Sequence, residues 1–182
     1  MEHKDYKLEI ISELLKDESH IRAIAKKIGT NHMMILRKIS ELVKENVLDY
    51  KKEGKNNRYF IKRTTEARNY IFAVEGYKLN QTLKKYPSLR GIIERIQKDK
   101  RIKLAILFGS YAKGIAKEES DIDIFIDNTN PKIKNELRLF DGKLSIKNGE
   151  YDKSSILIKE IEKNNIIIKG VEEYYEKNKF FD

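Results

Sequence analysis

The chain of 182 residues contains no cysteine and no tryptophan, and it has only two prolines. Without cysteine it can form neither a disulfide scaffold nor a zinc site with thiolate ligands. No apolar run exceeds five residues, which is too few to cross a bilayer about 30 Å thick. Residues 1–5 lack the apolar core of a secretion signal. We therefore expect a soluble cytoplasmic protein with no membrane partner.

Positive charge is concentrated in the first third of the sequence. Residues 20–63 contain 12 of the 38 lysines and arginines but only four of the 29 acids, so this window carries +8 of the formal net charge of +9. Clustered cations favour a polyanionic partner, because each phosphate contact releases condensed counterions. The distribution predicts DNA binding by the N-terminal part, with a merely solvated surface as the alternative.

Residues 6–62 show helical periodicity followed by a hairpin pattern. Apolar spacing predicts helices over 6–16 and 21–28, the second capped by Ser19, and then a third helix capped by Asn31. Two short strands, around residues 47–51 and 58–62, flank a turn rich in Gly and Asn. This order resembles the winged helix-turn-helix family of DNA-binding domains. The resemblance implies that the third helix reads bases and that the hairpin, the wing, holds the DNA backbone.

The winged-helix resemblance assigns particular residues to DNA. On the third helix one group would approach the bases and a second would lie nearer the phosphates, while the wing would contact the adjacent backbone or minor groove. For His32 and Met33 an ordinary surface or dimer contact is the alternative, and some winged helices bind proteins instead. The expected DNA contacts are His32, Met33 and Arg37 at the bases, Lys38 and Lys44 at the phosphates, and Lys52, Lys55 and Arg58 on the wing.

A long helix predicted over residues 64–86 and ended by Pro87 connects the two halves of the chain. Its apolar face could pack within the chain or against a second copy in a homodimer. We expect an N-terminal winged helix over 1–63, a connecting helix over 64–87 and a C-terminal domain over 88–182. The fold class is α+β.

Residues 121–127 alternate strictly between acidic or aromatic residues and isoleucine, which predicts a strand with one polar face. Asp121 and Asp123 would then lie within about 7 Å of each other, whereas Asp127 would lie about 13 Å beyond Asp123. Two carboxylates at the shorter spacing repel one another unless a cation lies between them. Hard oxygen ligands suit Mg²⁺ or Mn²⁺. The pair therefore predicts a divalent metal site.

The residues before this strand are suited to holding phosphate. A buried strand predicted over 102–108 ends at Gly109-Ser110. Glycine allows the backbone to approach a phosphate closely, and Ser110 offers a hydroxyl together with free N–H groups. A phosphate cradle beside paired acids predicts phosphoryl or nucleotidyl transfer.

Gly109-Ser110, followed ten residues later by Ser120-Asp121-Ile122-Asp123, is similar to the signature of the nucleotidyltransferase superfamily. The sequence is most similar to the minimal, antitoxin-like members. The resemblance implies a mixed sheet with packed helices, a triphosphate held by Gly109 and Ser110, and catalytic metal ligands at Asp121 and Asp123. It further implies transfer of a nucleoside monophosphate, with ATP as the expected donor, to a hydroxyl of a protein, an RNA or a small molecule.

One part of the family pattern is missing from the sequence. Active members usually supply a third carboxylate from a neighbouring strand, but the expected partner strand, 143–147, contains no acid, and Ser145 or Lys147 stands at that place. Glu150 and Asp152 are the nominal replacements. The alternative function is therefore a transcriptional regulator whose degenerate domain only binds nucleotide or a partner protein.

Overall fold

The computed structural model describes residues 4–182 of the protein. The chain forms two compact units, one containing the residues up to Tyr77 together with 180–182, and the other containing 78–179. The division falls inside one long helix. The domain boundaries expected after residues 63 and 87 stay a prediction.

The N-terminal unit has three helices followed by an antiparallel hairpin, which confirms the predicted winged-helix order. Isoleucines at helical spacing, such as Ile24, Ile35 and Ile39, are fully buried and hold the helices together. Burying a side chain of this size contributes about 1.5–3 kcal/mol. The elements are α1 Tyr6–Leu14, α2 Ile21–Ile28, α3 His32–Lys44, β1 Leu48–Glu53 and β2 Asn56–Ile61.

Of the two predicted N-caps of α2 and α3, the structure shows only the one on α3. Asn31 accepts a hydrogen bond from the Met34 N–H at 2.8 Å, as predicted for an N-cap. The predicted Ser19 cap of α2 is wrong, because the backbone of Ser19 forms a β-bridge with Tyr59 instead. The N-cap position falls to His20, whose side chain makes no capping bond.

Helix α4, Thr65–Lys85, runs through the boundary between the two units. A single 3₁₀ turn at Pro87–Leu89 follows, and α5 occupies Arg90–Lys98. Because proline cannot continue a helix, Pro87 separates the two. Over the described range 4–182, the helices are all too short or too polar to cross a membrane.

A four-stranded mixed sheet organises the C-terminal unit. Its strand order is β5-β4-β3-β6, in which β4 and β5 are parallel and the other two pairings are antiparallel. This arrangement confirms the α+β class and the mixed sheet. The elements are β3 Ala105–Leu107, α6 Gly109–Ala112, β4 Ile122–Asp127, α7 Pro131–Arg138, β5 Leu144–Gly149, α8 Ile156–Lys163, β6 Ile166–Lys169 and α9 Val171–Lys177.

The two faces of β4 have different surroundings. Ile122, Ile124 and Ile126 join one buried cluster with apolar residues of α5 and α7, as the alternation predicted. On the opposite face, Phe125 is buried and its ring packs edge-to-face against Tyr151, with 6.2 Å between centroids. The acidic residues lie on this second face.

Candidate functional site

The central strand β4 carries the acidic pair at its beginning. Asp123 is half-buried, while Asp121 is exposed and precedes the strand by one residue. Ile122 between them is buried, and strand alternation places Asp123 on the opposite face of the sheet. Within residues 4–182 neither carboxylate takes part in a hydrogen bond or an ion pair.

Gly109 brings the backbone directly against Asp123. The Phe108 N–H donates to the Asp123 carbonyl at 3.0 Å, and the chain then turns at Gly109 with φ +68°. A Cβ added at Gly109 would overlap the Asp123 Oδ2 atom and lie 3.1 Å from its Cγ. Any larger residue at this position would displace the carboxylate. Glycine is also favoured because other residues rarely adopt a positive φ. The predicted neighbours Gly109 and Asp123 are therefore in contact.

Ser110 follows in the single turn of α6. Its backbone carbonyl accepts a hydrogen bond from the Ile115 N–H at 3.0 Å, which closes the turn. The half-buried hydroxyl of Ser110 has no hydrogen-bond partner in the described part of the chain. The next residue, Tyr111, is buried, and burial raises the pKa of its hydroxyl, with further contributions from Tyr86 and Asp141. Tyr111 therefore anchors the turn while Ser110 stays available to a ligand.

The carboxylate of Asp127, the last acid of β4, makes contacts with other parts of the C-terminal unit. Its carboxylate accepts a hydrogen bond from the Tyr151 N–H at 3.0 Å and pairs with Lys177 at 3.1 Å. The hydrogen bond with Asp127 raises the pKa of Lys177. Asp127 joins β4 to the segment after β5 and to α9, whereas the Asp121 and Asp123 carboxylates are unengaged.

The donor set suits a magnesium-type ion shared with a phosphate ligand. Nowhere in residues 4–182 do three or more His, Asp or Glu side chains gather as a metal site. Two carboxylates fit Mg²⁺, which commonly takes one or two protein carboxylates and completes its shell with phosphate oxygens and water. The missing side chain of Gly109 lets the Asp123 carboxylate lie directly against the backbone of the turn.

Residues 90–174 match the family model described as Polymerase beta, Nucleotidyltransferase. This part of the chain is a nucleotidyltransferase-family domain. The match contains both Gly109-Ser110 and the acidic pair of β4. It confirms the resemblance seen in the sequence for the C-terminal domain.

The nucleotidyltransferase domain lacks an acid beside the pair. In the parallel ladder Asp123 is opposite Ser145, and Phe125 is opposite Lys147, so the predicted partner strand is the observed one. A hydroxyl and an ammonium group thus lie opposite Asp123 and Phe125 on the neighbouring strand. The strand holding them, Leu144–Gly149, contains no carboxylate.

The nominal replacements lie at the wrong end of β5. Both Glu150 and Asp152 follow Gly149, which is opposite Asp127 and four residues along the strand from Asp123. Asp152 accepts hydrogen bonds from the backbone and hydroxyl of Ser154 at 2.8 and 2.6 Å. Neither residue completes the acidic pair, and that expectation is corrected here.

Two lysines near the site were not indicated by any sequence motif. Lys85, the last residue of α4, donates to the Gly114 carbonyl at 2.6 Å, and Lys143 donates to the Glu118 carbonyl at 2.6 Å. Both carbonyls belong to the segment between the glycine turn and the acidic pair. Because these contacts join residues 25 or more positions apart, local patterns could not have predicted them.

The predicted base-reading face of α3 is exposed in the N-terminal unit. His32, Met33 and Arg37 all lie on the surface, and Met33 is 60% exposed. An exposed apolar side chain at the start of a helix is available to a partner. Lys44 is exposed as well, whereas Lys38 is partly buried and pairs with Glu41 at 2.9 Å.

The wing residues differ in their electrostatic surroundings. Lys52 and Lys55 are exposed and form no ion pair with any residue in the described range. Arg58 lies among three carboxylates, 3.5 Å from Asp17, 3.5 Å from Glu18 and 3.8 Å from Glu53. Lys52 and Lys55 are therefore free to meet a phosphate, while the charge of Arg58 is largely compensated.

The solved structures that are similar to this chain include two transcription-related proteins. The transcriptional repressor BigR from Xylella fastidiosa is 13% identical with a TM-score of 0.34, and the alignment covers 37% of this chain and 66% of that one. The homodimeric winged helix-turn-helix DNA-binding domain of Mb0332 from Mycobacterium bovis is 24% identical with a TM-score of 0.35, covering 37% and 63%. The chain thus spans less than two thirds of either protein. None of the curated proteins matches the sequence.

Proposed function

We propose that the protein binds DNA through its N-terminal unit and transfers a nucleoside monophosphate from ATP to a hydroxyl acceptor through its nucleotidyltransferase domain, with Mg²⁺ or Mn²⁺ as cofactor. The observation that carries the enzymatic part is the contact between Gly109 and the Asp123 carboxylate, beside Ser110 and next to Asp121. An unpaired carboxylate beside a glycine turn of the kind that binds phosphate is suited to a metal-bound nucleotide.

Each residue of the site would have a separate task. Gly109 admits the triphosphate close to the backbone, and the Ser110 hydroxyl and N–H groups donate to its oxygens. Asp121 and Asp123 would hold the divalent ion. When bound, that ion would neutralise the triphosphate and orient its α-phosphorus. The acceptor oxygen then forms a bond to that phosphorus, the bond to the β-phosphate oxygen breaks, pyrophosphate leaves and the hydroxyl proton passes to water.

A second function is favoured by the residues beside the pair. Because Ser145 and Lys147 supply no carboxylate, the domain has no evident general base for the acceptor hydroxyl. Nucleotide or partner binding without transfer would suit a regulator that uses this domain as a sensor.

Label transfer distinguishes the two functions. The full chain is incubated with α-labelled ATP, Mg²⁺ and lysate, beside Asp121→Ala/Asp123→Ala and the surface control Asp152→Ala. Transfer in wild type and the control but not in the double variant supports an enzyme. Mg²⁺-dependent ATP binding without transfer supports a sensor. Absence of both contradicts a nucleotide site.

The DNA-binding part of the proposal is supported by the exposed start of α3 and the free lysines of the wing. Lysine contacts with phosphates make affinity fall steeply with salt. Fluorescence anisotropy with duplex DNA at several salt concentrations tests this part. An affinity that does not change with salt would contradict it. A homodimer reading paired half-sites is a related proposal, which light scattering of the free protein tests.

A further inference from the structure

The two acids of the pair, Asp121 and Asp123, lie in different kinds of backbone structure. Asp123 lies within β4, whereas Asp121 is the last residue of a segment without regular secondary structure, residues 113–121, that precedes the strand. For both carboxylates to meet one cation, this segment must keep a single conformation. Within the segment, a turn from Lys117 to Ser120 lies directly before Asp121.

That turn is closed by two hydrogen bonds. The Ser120 N–H donates to the Lys117 carbonyl at 3.1 Å, and the Lys117 N–H donates to the Ser120 hydroxyl at 2.9 Å. The serine of the signature is thus engaged within its own turn rather than directed to a ligand. Contacts outside the turn then decide where it lies relative to β4.

Lys143 forms hydrogen bonds with the chain on both sides of Asp121. Its ammonium group donates to the Glu118 carbonyl at 2.6 Å, and its own carbonyl accepts the Ile122 N–H at 2.9 Å. The Lys143 N–H in turn donates to the Asp141 carboxylate at 2.9 Å, which fixes the lysine at the start of β5. One residue therefore fastens the chain three positions before Asp121 and one position after it.

Lys85 holds the other end of the segment. Its ammonium group donates to the Gly114 carbonyl at 2.6 Å, just beyond the turn that contains Ser110. Gly114 has a positive φ of +71°, and its own N–H donates to Tyr111. The segment between the glycine turn and the acidic pair is thus fastened by a lysine at each end.

We propose that Lys143 and Lys85 are positioning residues that set Asp121 for metal-nucleotide binding by fixing the segment 113–121. This inference rests on the proposed function, since it concerns how the same site is held. Neither lysine needs to touch the nucleotide. Methionine at either position preserves the length of the side chain but removes the charge-assisted hydrogen bond.

The test measures the affinity of the full chain for a fluorescent ATP analogue, with Mg²⁺ and with EDTA. Lys143→Met is expected to weaken Mg²⁺-dependent binding about fivefold to tenfold, the size of one exposed charge-assisted bond. Lys143→Arg should restore it, and binding in EDTA should be unchanged. Lys85→Met should act in the same direction. Lys132→Met, which removes an exposed charge on α7, is the matched control.

A double-mutant cycle shows whether the lysine acts through Asp121. On an Asp121→Ala background, Lys143→Met should have no further effect on Mg²⁺-dependent affinity. An effect that persists there, or one equalled by Lys132→Met, overturns the inference.

Hydrogen exchange supplies a measurement that does not depend on nucleotide. The amides of residues 115–122 should exchange faster in Lys143→Met than in wild type, Lys143→Arg or Lys132→Met. Unchanged exchange overturns the inference by itself. If wild type binds no Mg²⁺-ATP, the proposed function fails, and the exchange result still decides whether Lys143 orders the segment.

Discussion

Replacing Gly109 by alanine isolates the contact on which the proposed nucleotide site depends. The substitution has two consequences that the structure separates. Alanine at φ +68° lowers the free energy of unfolding by about 1–2 kcal/mol through backbone strain alone. In addition, the new methyl group overlaps the Asp123 Oδ2 atom, so the carboxylate must rotate away from the cradle.

Gly114→Ala is the matched control for this change. Gly114 has φ +71°, but a Cβ there would lie 3.5 Å from the Lys85 Nζ atom, an ordinary contact that leaves the hydrogen bond from Lys85 to the Gly114 carbonyl in place. Both variants should therefore lose a similar free energy of unfolding, equivalent to a fall of about 2–4 °C in Tm per kcal/mol for a chain of 182 residues. Only Gly109→Ala should also lose the ligand.

Thermal unfolding with and without Mg²⁺-ATP measures the two effects together. At a nucleotide concentration 100 times Kd, a bound ligand stabilises the native state by about 2.7 kcal/mol. Wild type and Gly114→Ala should gain this stabilisation, whereas Gly109→Ala should gain little. Equal stabilisation of all three would refute the role of the Gly109–Asp123 contact, and an equal loss in both variants would assign the effect to strain.

Three further predictions concern other parts of the molecule. Ser145→Asp places a carboxylate beside Asp123, so transfer of label from ATP should rise by about 10²–10⁴, the usual contribution of a general base; an unchanged rate contradicts this. Lys55→Ala should lower the salt slope of DNA binding by about one, while Arg58→Ala, already compensated by acids, should leave it unchanged in the anisotropy titration. The hydrogen bond with Arg101 lowers the pKa of Asp99, so its stabilising contribution is present at neutral pH and is lost as pH falls below about 4. Asp99→Asn should therefore flatten the dependence of Tm on pH in that range, and a slope equal to that of wild type would argue against the pair.

Much of the fold could be predicted because local patterns and tertiary structure agree. The alternation of 121–127 placed three isoleucines in the core and the acids opposite, and this is what the sheet shows. The absence of an acid opposite Asp123 was also predictable, since the partner strand of β4 could be recognised by its apolar alternation.

The remaining features depend on contacts between distant residues. Ser19 has the chemistry of a cap, but its backbone pairs with Tyr59, 40 positions away, and that bridge determines where α2 begins. The compensation of Arg58 comes from Asp17 and Glu18 in the connection before α2, which charge counting along a window does not reveal. For the same reason no pattern indicated that Lys143 fastens the segment before Asp121.

Titration of the full chain with ATP, in the presence and absence of Mg²⁺, tests the central claim most directly. The account predicts saturable binding that requires the metal and is strongly weakened in both Asp121→Ala and Asp123→Ala, while Asp152→Ala binds like wild type. Metal-independent binding, or an affinity equal to that of wild type in Asp121→Ala and Asp123→Ala, would contradict the assignment of the acidic pair as the metal-nucleotide site.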